Sequence, residues 1–468
     1  MSATLQQRQH TTIGSMSQIF FDLISCFTNC LFCFPNSPQL KINSRSFKLQ
    51  HLLGEGGFSY VYLVSDNATS TLYALKKIRC PFGQESVSLA LKEVEAYTLF
   101  SPHPNIIHAI DHAVVGSGDR SDPGSKTVYI LLPYYRRGNL QDAINANLVN
   151  HTRFPERRLM VLFLGVARAL KAMHQYRVKG APGGEASQGK AQRVRQEGEA
   201  ADRDAAQRAK RRRRDGDTED EDTEQEPLME GEVTRSQEGV AAGEMRSYAH
   251  RDVKPGEPCG PLLVAFEQMA GEGRKELMGT CAGLGNIMIS DTGTTPILMD
   301  LGSLAPSPTP ITSRSLALQV QDTAAEHSTM PYRAPELFDV KTGTVVDTKV
   351  DIWSLGCTLF ACLVGKSPFE MRSEETGGSL SICVLGGDWR FPDERRNKDK
   401  GKGKSHGNGQ ANGSGQGGND QETISESVKE VVRKCLKVEP AERPEIDEVI
   451  SMVEDVVAAL PEDDDGVL

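Results

Sequence analysis

One interrupted stretch of the chain constrains its fold more than any other. His250-Arg251-Asp252-Val253-Lys254-Pro255 breaks off and resumes at Gly285-Asn286-Ile287-Met288-Ile289. Read as one segment, the stretch places a carboxylate, a lysine two residues later and an amide immediately before an apolar strand. A tight Asp300-Leu301-Gly302 turn then adds a second carboxylate.

These four polar side chains are the groups that phosphoryl transfer needs in one place. Asp252 can orient the attacking hydroxyl and accept its proton, and Lys254 can neutralise the moving phosphate. The oxygens of Asn286 and Asp300 can hold a metal ion. We therefore take Asp252, Lys254, Asn286 and Asp300 as the candidate catalytic residues, with Asn286 and Asp300 as the metal ligands.

The order of these groups resembles the catalytic and metal-binding loops of protein kinases. His-Arg-Asp-x-Lys-Pro, then Asn, then Asp-Leu-Gly is similar to the serine/threonine members, because Lys254 stands where tyrosine kinases usually differ. The resemblance implies a protein-serine/threonine kinase. Such an enzyme transfers the γ-phosphoryl group of ATP to protein substrates, with ATP and Mg²⁺ bound together.

A narrower resemblance rests on several motifs taken together. They are GEGGFSYV, YALKKI, LLPYYRRGNL, MDLGS and YRAPELF. In combination they resemble the Numb-associated kinase family, and within it the lipid-modified kinases of the Golgi and of the fungal vacuole membrane. The resemblance implies an α+β, two-lobed protein kinase fold, with a small antiparallel β lobe that has one helix and a large, mainly helical lobe.

The nucleotide site is expected in the small lobe. A glycine-rich hairpin between the β-prone runs 46–52 and 61–65 lets backbone N–H groups close over phosphate oxygens, although Ser59 replaces the third glycine of the kinase pattern. By resemblance, Lys76 reaches the α- and β-phosphates, and Glu93 of a helix over residues 88–100 pairs with it. The candidate nucleotide-binding residues are Leu53, Gly54, Glu55, Gly56, Gly57, Phe58, Ser59, Val61, Lys76, Glu93, Pro133 and Tyr135.

Other positions are expected to serve the scaffold. Lys77 and Glu95 are interpreted as exposed neighbours of Lys76 and Glu93. The resemblance also implies a gatekeeper at Leu132, an aspartate at Asp351 that holds the catalytic-loop backbone, and an ion pair between Glu336 and Arg443.

Two further helices are predicted from periodicity. Residues 159–175 have the apolar stripe of an amphipathic helix. After Asp300, the alternation of Leu316, Leu318 and Val320 predicts an extended run. A short helix that Asp322 caps, ending near residue 328, is expected to follow.

The first forty residues carry a different signal. Residues 19–34 are apolar, but they are too short to span a membrane and lack the positive flank of a signal peptide. Cys26, Cys30 and Cys33 share one helical face among Phe and Leu, a pattern typical of S-acylation. Two other readings stay open: a packed helix with three core cysteines, and metal or redox use of the last two. Ser2 in place of glycine excludes N-myristoylation.

S-acylation predicts a peripheral protein on the cytoplasmic face of an endomembrane, with a fraction in the cytosol. The resemblance implies that this membrane is the vacuole or the Golgi. The ten cysteines lack paired spacing, which argues for a reducing compartment. The net charge of −10 argues against nucleic acid as a general partner. The expected partners are protein substrates, ATP and, through S-acyl chains, a membrane surface.

The resemblance divides the chain into an N-terminal segment (1–44), a kinase domain (45–460) and an acidic tail (461–468). The small lobe is expected over residues 45–135 and the large lobe over residues 136–460, with insertions at 178–247, 256–284 and 398–420. The first and third insertions have few large apolar residues, which predicts disorder. A basic run at 210–214 has two interpretations, a nuclear signal or a self-neutralising loop. The second is favoured because acidic residues follow at once.

The insertion at 256–284 splits the catalytic loop. Removing its 29 residues leaves Pro255-Gly285-Asn286 and restores the kinase spacing, so we favour a retained intron over a genuine insertion. On that interpretation the shortened chain is active and the full chain has little or no activity, because a long bridge would loosen the metal–phosphate site. Two rival functions remain: a membrane-tethered pseudokinase scaffold and a nuclear adaptor that uses the basic run.

Overall fold

The computed structural model describes residues 39–55, 59–116, 125–178, 244–256, 286–394 and 423–462. Within these residues an N-terminal antiparallel sheet with one helix is followed by a mainly helical part. The expected α+β, two-lobed fold is therefore confirmed.

The small lobe is built on a six-stranded sheet with the order β1-β2-β3-β4-β6-β5. The β-prone runs 46–52 and 61–65 lie inside β2 and β3. The sheet begins at Gln39 rather than at residue 45, because β1 pairs with β2. The strands are β1 (Gln39–Ile42), β2 (Arg45–Glu55), β3 (Ser59–Asp66), β4 (Leu72–Cys80), β5 (Asp111–Gly116) and β6 (Lys126–Pro133).

Helix α1 (Gly83–Leu99) packs against β4 and β6. It begins five residues before the predicted start at residue 88. Its inward face buries Val94, Tyr97 and Glu93, whereas Glu95 is exposed as expected. The helix therefore presents one carboxylate, that of Glu93, to the sheet beneath it.

The large lobe buries its apolar surface around two central helices. The amphipathic helix predicted over residues 159–175 is α3, which packs against α5 and α9. Helix α5 is buried along most of its length, and its Trp353 stacks on Phe369 with ring centroids 5.2 Å apart. The helices are α2 (Leu140–Asn150), α3 (Glu156–His174), α4 (Arg314–His327), α5 (Lys349–Val364), α6 (Pro368–Thr376), α7 (Leu380–Gly386), α8 (Glu426–Cys435) and α9 (Ile446–Ala459).

A membrane-spanning helix is not found in the described part of the chain. No single helix there is both long and apolar enough, and α5 and α6 meet the length and composition criteria only as a pair bent by 68°.

Short strands position the loops of the large lobe. They are β7 (Tyr176–Arg177), β8 (Met245–Ala249), β9 (Ile287–Ile289), β10 (Pro296–Leu298), β11 (Ala305–Ser307), β12 (Thr309–Pro310) and β13 (Val345–Val346). Strand β8 pairs with β7 on one side and with β11 on the other, and β9 pairs with β10. The candidate catalytic loop thus runs from β8 to β9, and the Asp300 turn follows β10.

The first insertion leaves and re-enters the fold at one hairpin. Tyr176 of β7 pairs with Arg246 of β8, and the Val178 N–H donates to the Glu244 carbonyl at 2.9 Å. The predicted boundaries of 178–247 were therefore too wide, because residues 244–247 belong to the fold. Residues 179–243, which include the basic run, lie outside the described residues.

The ends of the third insertion are also held close to one another. Arg433 of α8 contacts Glu394 at 2.9 Å and Glu426 at 2.5 Å, and these glutamates flank the gap from opposite sides. The predicted segment 398–420 itself lies outside the described residues, as does the tail beyond residue 462.

The segment after Asp300 differs from the prediction. Residues 316–320 are helical and not extended, because α4 already begins at Arg314. The Ser313 hydroxyl caps this helix and accepts the Leu316 N–H at 3.2 Å. Asp322 therefore lies inside the helix and does not cap it. The prediction was wrong because the inward face follows a helical spacing: Ala317, Val320 and Ala324 are buried and Leu316 packs against the core, whereas Leu318 is 47% exposed.

Candidate active site

Lys76 of β4 contacts a residue of each lobe. Its Nζ lies 2.7 Å from Glu93 Oε1 on α1 and 3.2 Å from Asp300 Oδ1 on the turn after β10. Lys76 and Glu93 are buried. The neighbouring Lys77, which was predicted to be exposed, is half-buried.

The charges in this cluster stabilise one another. Burial lowers the pKa of Lys76, but the attraction of Asp300 and Glu93 outweighs burial and leaves that pKa above its usual value. The charge of Lys76 in turn lowers the pKa of Asp300, against the opposing effect of burial. Both groups are therefore charged at neutral pH, which suits a site for an anionic nucleotide and its metal ion.

Asp252 and Asn286 lie together despite the insertion between them. The Asn286 amide donates from Nδ2 to Asp252 Oδ2 at 2.8 Å and to the Asp252 carbonyl oxygen at 2.5 Å. The anticipated separation of these two residues is therefore not found. Residues 257–285, which include Gly285 and most of the predicted insertion, lie outside the described residues.

Thr329 completes the surroundings of the Asp252 carboxylate. Its backbone N–H donates to Asp252 Oδ1 at 2.9 Å, and its hydroxyl accepts from Lys254 Nζ at 2.5 Å. Lys254 also lies 3.4 Å from Asp252 Oδ2. Residues 316–329 also contribute to the resemblance to the Numb-associated kinases, but sequence reasoning gave Thr329 no role in the site. Its contacts form only where the end of the activation segment packs against the Asp252 loop.

The backbone of the catalytic loop is held from below by Asp351, as predicted. The fully buried Asp351 accepts the N–H of His250 at 2.8 Å and that of Arg251 at 2.7 Å. His174 of α3 contacts the same carboxylate at 2.9 Å. Burial raises the pKa of Asp351, but the His174 hydrogen bond and the neighbouring charges bring it below the usual value. The part played by His174 was not foreseen.

The candidate catalytic loop and the turn at Asp300 are connected through His250. Its ring Nε2 lies 2.9 Å from the Met299 carbonyl, and its own carbonyl accepts from the Ser303 hydroxyl at 2.6 Å. Asp300 has a left-handed backbone with φ of 50°. A Cβ at Gly302 would meet Asp300 Oδ1 at 3.3 Å and Glu93 Oε2 at 3.6 Å, so the turn lies close against α1.

The end of the activation segment is anchored as predicted. Arg443 contacts Glu336 through two parallel hydrogen bonds of 2.7 and 2.8 Å. The Arg443 side chain is fully buried, and its guanidinium lies 5.0 Å from the Trp353 ring. The paired geometry fixes the segment to the base of the large lobe.

Most of the candidate nucleotide-binding residues lie at or next to the ends of β2, β3 and β6. Gly54 pairs with Val61 and Glu55 with Tyr60, so Leu53, Gly54, Glu55, Ser59 and Val61 flank one hairpin. Gly56, Gly57 and Phe58, at its tip, lie outside the described residues. The buried Leu132 pairs with Ala74, and Pro133 and Tyr135 follow it at the end of β6. Burial raises the pKa of Tyr135, which keeps its hydroxyl protonated.

The donor set fits a hard divalent cation. Asp300 offers a charged carboxylate whose side chain is 41% exposed, and Asn286 offers an amide oxygen. The Asn286 Nδ2 donates to Asp252, so Oδ1 is the side-chain atom that could coordinate a cation. Oxygen donors of this kind are those that Mg²⁺ prefers. The lipidation candidates Cys26, Cys30 and Cys33 lie outside the described residues.

Comparisons with known proteins agree with this arrangement. Residues 47–179 and 284–453 match the family described as the protein kinase domain. Serine/threonine-protein kinase ENV7 of Saccharomyces cerevisiae is 31% identical, over 90% of this chain and 94% of the relative. Serine/threonine-protein kinase ppk13 of Schizosaccharomyces pombe is 27% identical, over 92% and 96%. Serine/threonine-protein kinase 16 of Homo sapiens is 26% identical, over 75% and 80%.

The matched ranges also show where the family pattern is interrupted. Asp252 and Lys254 lie between residues 179 and 284, whereas Lys76, Asn286 and Asp300 lie inside the matched ranges. The positions of Asp252 and Lys254 in the site therefore rest on the contacts described above.

Proposed function

The chain belongs to the protein kinase family and is a protein-serine/threonine kinase, and on that premise we propose how its residues carry out the reaction. It transfers the γ-phosphoryl group of ATP to serine or threonine side chains of protein substrates. The observation that carries the proposal is the contact of Lys76 Nζ with both Glu93, at 2.7 Å, and Asp300, at 3.2 Å. This contact joins the phosphate-binding strand, the small-lobe helix and the metal-binding turn, the arrangement that active kinases require.

Asp252 is the proposed general base. Thr329 donates to one of its oxygens and Asn286 to the other, so the carboxylate is held in one orientation. A substrate hydroxyl that approaches Asp252 can give up its proton to a carboxylate that is already positioned. Lys254, 3.4 Å away, supplies positive charge for the phosphoryl group in transfer.

Asn286 and Asp300 are the proposed ligands of the Mg²⁺ that accompanies ATP. When bound, Mg²⁺ neutralises charge on the phosphate oxygens. Asp300 contributes its charge, which Lys76 stabilises, and Asn286 contributes its amide oxygen. The hydrogen bond from Asn286 to Asp252 keeps the proposed base beside the metal ligands.

The nucleotide is proposed to lie between the glycine-rich hairpin and the end of β6. The backbone from Leu53 to Val61 covers the phosphates, where a side chain on Gly54 would obstruct the approach. The adenine meets the backbone around Pro133 and Tyr135, beside the buried Leu132.

We also infer that the protein works at an endomembrane, the vacuole or the Golgi, in membrane traffic or organelle regulation. The support is the single helical face that Cys26, Cys30 and Cys33 share among apolar residues. Attachment through S-acyl chains makes the protein peripheral and allows a cytosolic fraction.

The scaffold alternative depends on the insertion at 256–284. A pseudokinase is expected if the split loop keeps the base apart from the metal ligands. The 2.8 Å contact between Asn286 and Asp252 favours the catalytic interpretation.

A transfer assay tests the proposal. The purified full chain is incubated with radiolabelled ATP, Mg²⁺ and casein, and the phosphorylated amino acids are identified. We expect phosphoserine and phosphothreonine, and a loss of at least about a hundredfold in kcat for Asp252→Asn. The matched control is Asp447→Asn, on the exposed side of α9 beside Lys171, which leaves the rate unchanged. ATP binding without transfer in the full chain contradicts the proposal and supports the scaffold.

A further inference from the structure

Tyr97 lies one turn after Glu93 on α1 and contacts the same carboxylate oxygen as Lys76. Its hydroxyl donates to Glu93 Oε1, which also accepts from Lys76 Nζ at 2.7 Å. The Tyr97 side chain is only 1% exposed. Glu93 Oε1 is therefore held by two donors, one from the sheet and one from its own helix.

The Tyr97 hydroxyl also faces the turn that carries Asp300. Helix α1 packs against the turn at Leu301–Ser303, and the Leu301 backbone lies near enough to the phenol oxygen to lower its pKa. The 3.6 Å approach of Glu93 Oε2 to the Cβ position of Gly302 shows how closely the helix and the turn meet. One hydroxyl therefore lies between Glu93 and the metal-binding turn.

Tyr97 stays a hydrogen-bond donor across the working pH range. Burial raises its pKa well above the usual value, and the negative charges of Glu93 and Asp300 raise it further, against the smaller effect of the Leu301 amide. The phenol therefore keeps its proton, and two carboxylates lie beside a neutral donor.

We propose that Tyr97 is a positioning residue of the kinase reaction: its hydroxyl holds Glu93 in the orientation that Lys76 requires and couples α1 to the Asp300 turn. The proposal rests on the proposed roles of Lys76, Glu93 and Asp300. Without the hydroxyl, Glu93 loses one of its two donors, and the ion pair with Lys76 is formed in a smaller fraction of the molecules. ATP then binds only that fraction, so its apparent affinity falls in proportion.

Tyr97→Phe separates this role from simple packing, because phenylalanine keeps the buried ring and loses only the hydroxyl. A hydrogen bond to a charged group corresponds to one or two powers of ten in an equilibrium constant. We expect KM for ATP to rise about tenfold, with kcat within about twofold of wild type, because saturating ATP selects the competent arrangement. A merely structural role lowers the melting temperature and leaves both constants of the folded enzyme unchanged, which overturns the proposal.

The matched control is Tyr73→Phe in the same lobe. The Tyr73 hydroxyl accepts from Arg45 at 2.9 Å in the aromatic cluster near Phe47. Its loss removes a comparable hydrogen bond in another part of the sheet, so KM for ATP should not change. An equal rise of KM in both variants refutes a specific role for Tyr97.

A double-mutant cycle tests whether Tyr97 acts through Glu93. The dissociation constant of Mg·ATP is measured for wild type, Tyr97→Phe, Glu93→Ala and the double variant. The effect of Tyr97→Phe should fall below about twofold once Glu93 is replaced, since the hydroxyl then has no carboxylate to position. Additive effects contradict the proposal.

Hydrogen exchange tests the coupling without any need for activity. We expect the amides of α1 and of Leu301–Ser303 to exchange faster together in Tyr97→Phe, by about tenfold, and not in Tyr73→Phe. Unchanged exchange at both elements overturns the proposal even in a protein that transfers no phosphate. A wild-type chain that binds no ATP counts against the proposed function, whereas the exchange result decides the role of Tyr97.

Discussion

Asn286 donates to the side chain of Asp252 at 2.8 Å, although the chain between them includes the whole of the insertion that splits the catalytic loop. The same amide reaches the Asp252 backbone, so both the direction of the carboxylate and the path of the loop are held by one residue. The full chain was expected to have little or no activity on the assumption that a long bridge keeps these two residues loosely placed. The contacts give no support to that assumption.

The first prediction concerns the removal of residues 256–284. We expect the shortened protein and the full chain both to phosphorylate casein, with kcat values within about threefold, because both can form the Asp252–Asn286 pair. The deletion also places Gly285 directly after Pro255, in the position that Gly256 has in the full chain. That matters because a Cβ at Gly256, whose φ is +146°, would lie 2.8 Å from Asn139 Cγ. Activity in the shortened protein alone contradicts this prediction. Sequencing the transcript decides separately between an intron and an inserted segment.

The second prediction is that Lys76→Ala abolishes transfer and preserves the fold. The variant loses the contact with Glu93 and the proposed contact with the phosphates, whereas β4 keeps its pairing with β3 and β6. Activity should fall at least about a hundredfold. Lys77→Ala, the next residue of the same strand, serves as the control and should retain wild-type rates. Full activity in Lys76→Ala disproves the assignment of this lysine.

The third prediction separates metal binding from nucleotide binding. Asp300→Asn keeps the shape of the side chain and removes its charge, so the affinity for ATP should fall about tenfold or more in Mg²⁺ and less than about threefold in EDTA. The comparison is made by calorimetry, with the exposed Asp455→Asn as the control. Equal losses in both buffers are inconsistent with Asp300 as a metal ligand.

The fourth prediction uses the hairpin of β7 and β8. Replacing residues 179–243 by Asn-Gly joins Val178 to Glu244 through a two-residue turn, which the observed hydrogen bond between them permits. Transfer activity should stay within about twofold. The free energy of unfolding should rise, by up to about 3 kcal/mol from closure entropy alone. Extending the deletion to residue 247 removes part of β8 and should lower the melting temperature, which provides the contrasting case.

The fifth prediction concerns the N-terminal cysteines. The protein should sediment with membranes, and hydroxylamine should release it, because thioesters are cleaved under these conditions. One acyl chain gives only marginal binding, so loss of two of Cys26, Cys30 and Cys33 should already free much of the protein. Cys281→Ser is the control, with no expected change. A triple Cys→Ser variant that stays on membranes points instead to attachment through a partner protein.

Some contacts were predictable from sequence because both residues lie in kinase motifs whose pairing the resemblance implies. Glu336 and Arg443 are of this kind, since each lies in a recognisable run. The roles of Tyr97, Thr329 and His174 were not predicted, because no motif assigns them a partner. Each makes its contact only in the packed structure. For Tyr97 a signal existed in the helical spacing: it lies four residues after Glu93, where side chains of one helix face meet.

The activation segment shows a second limit. The alternation of Leu316, Leu318 and Val320 suggested an extended run, but the buried positions of α4 are Ala317, Val320 and Ala324 at helical spacing, with Leu316 partly buried beside them. Ser313 was the better indicator, because a serine three residues before a helical N–H is a common cap. The hydrophobic period is a weak guide where a helix packs through small side chains.

The β7–β8 hairpin has a consequence for the order in which this protein folds. Strand pairs of this size normally close within microseconds, because their partners are neighbours along the chain. Here the two strands meet only after residues 179–243 have been looped out, so a contact that is local in space has a high contact order. The strand that leads directly into Asp252 should therefore assemble late during refolding, after the helices on either side. Refolding rates measured with and without residues 179–243 would show the delay directly.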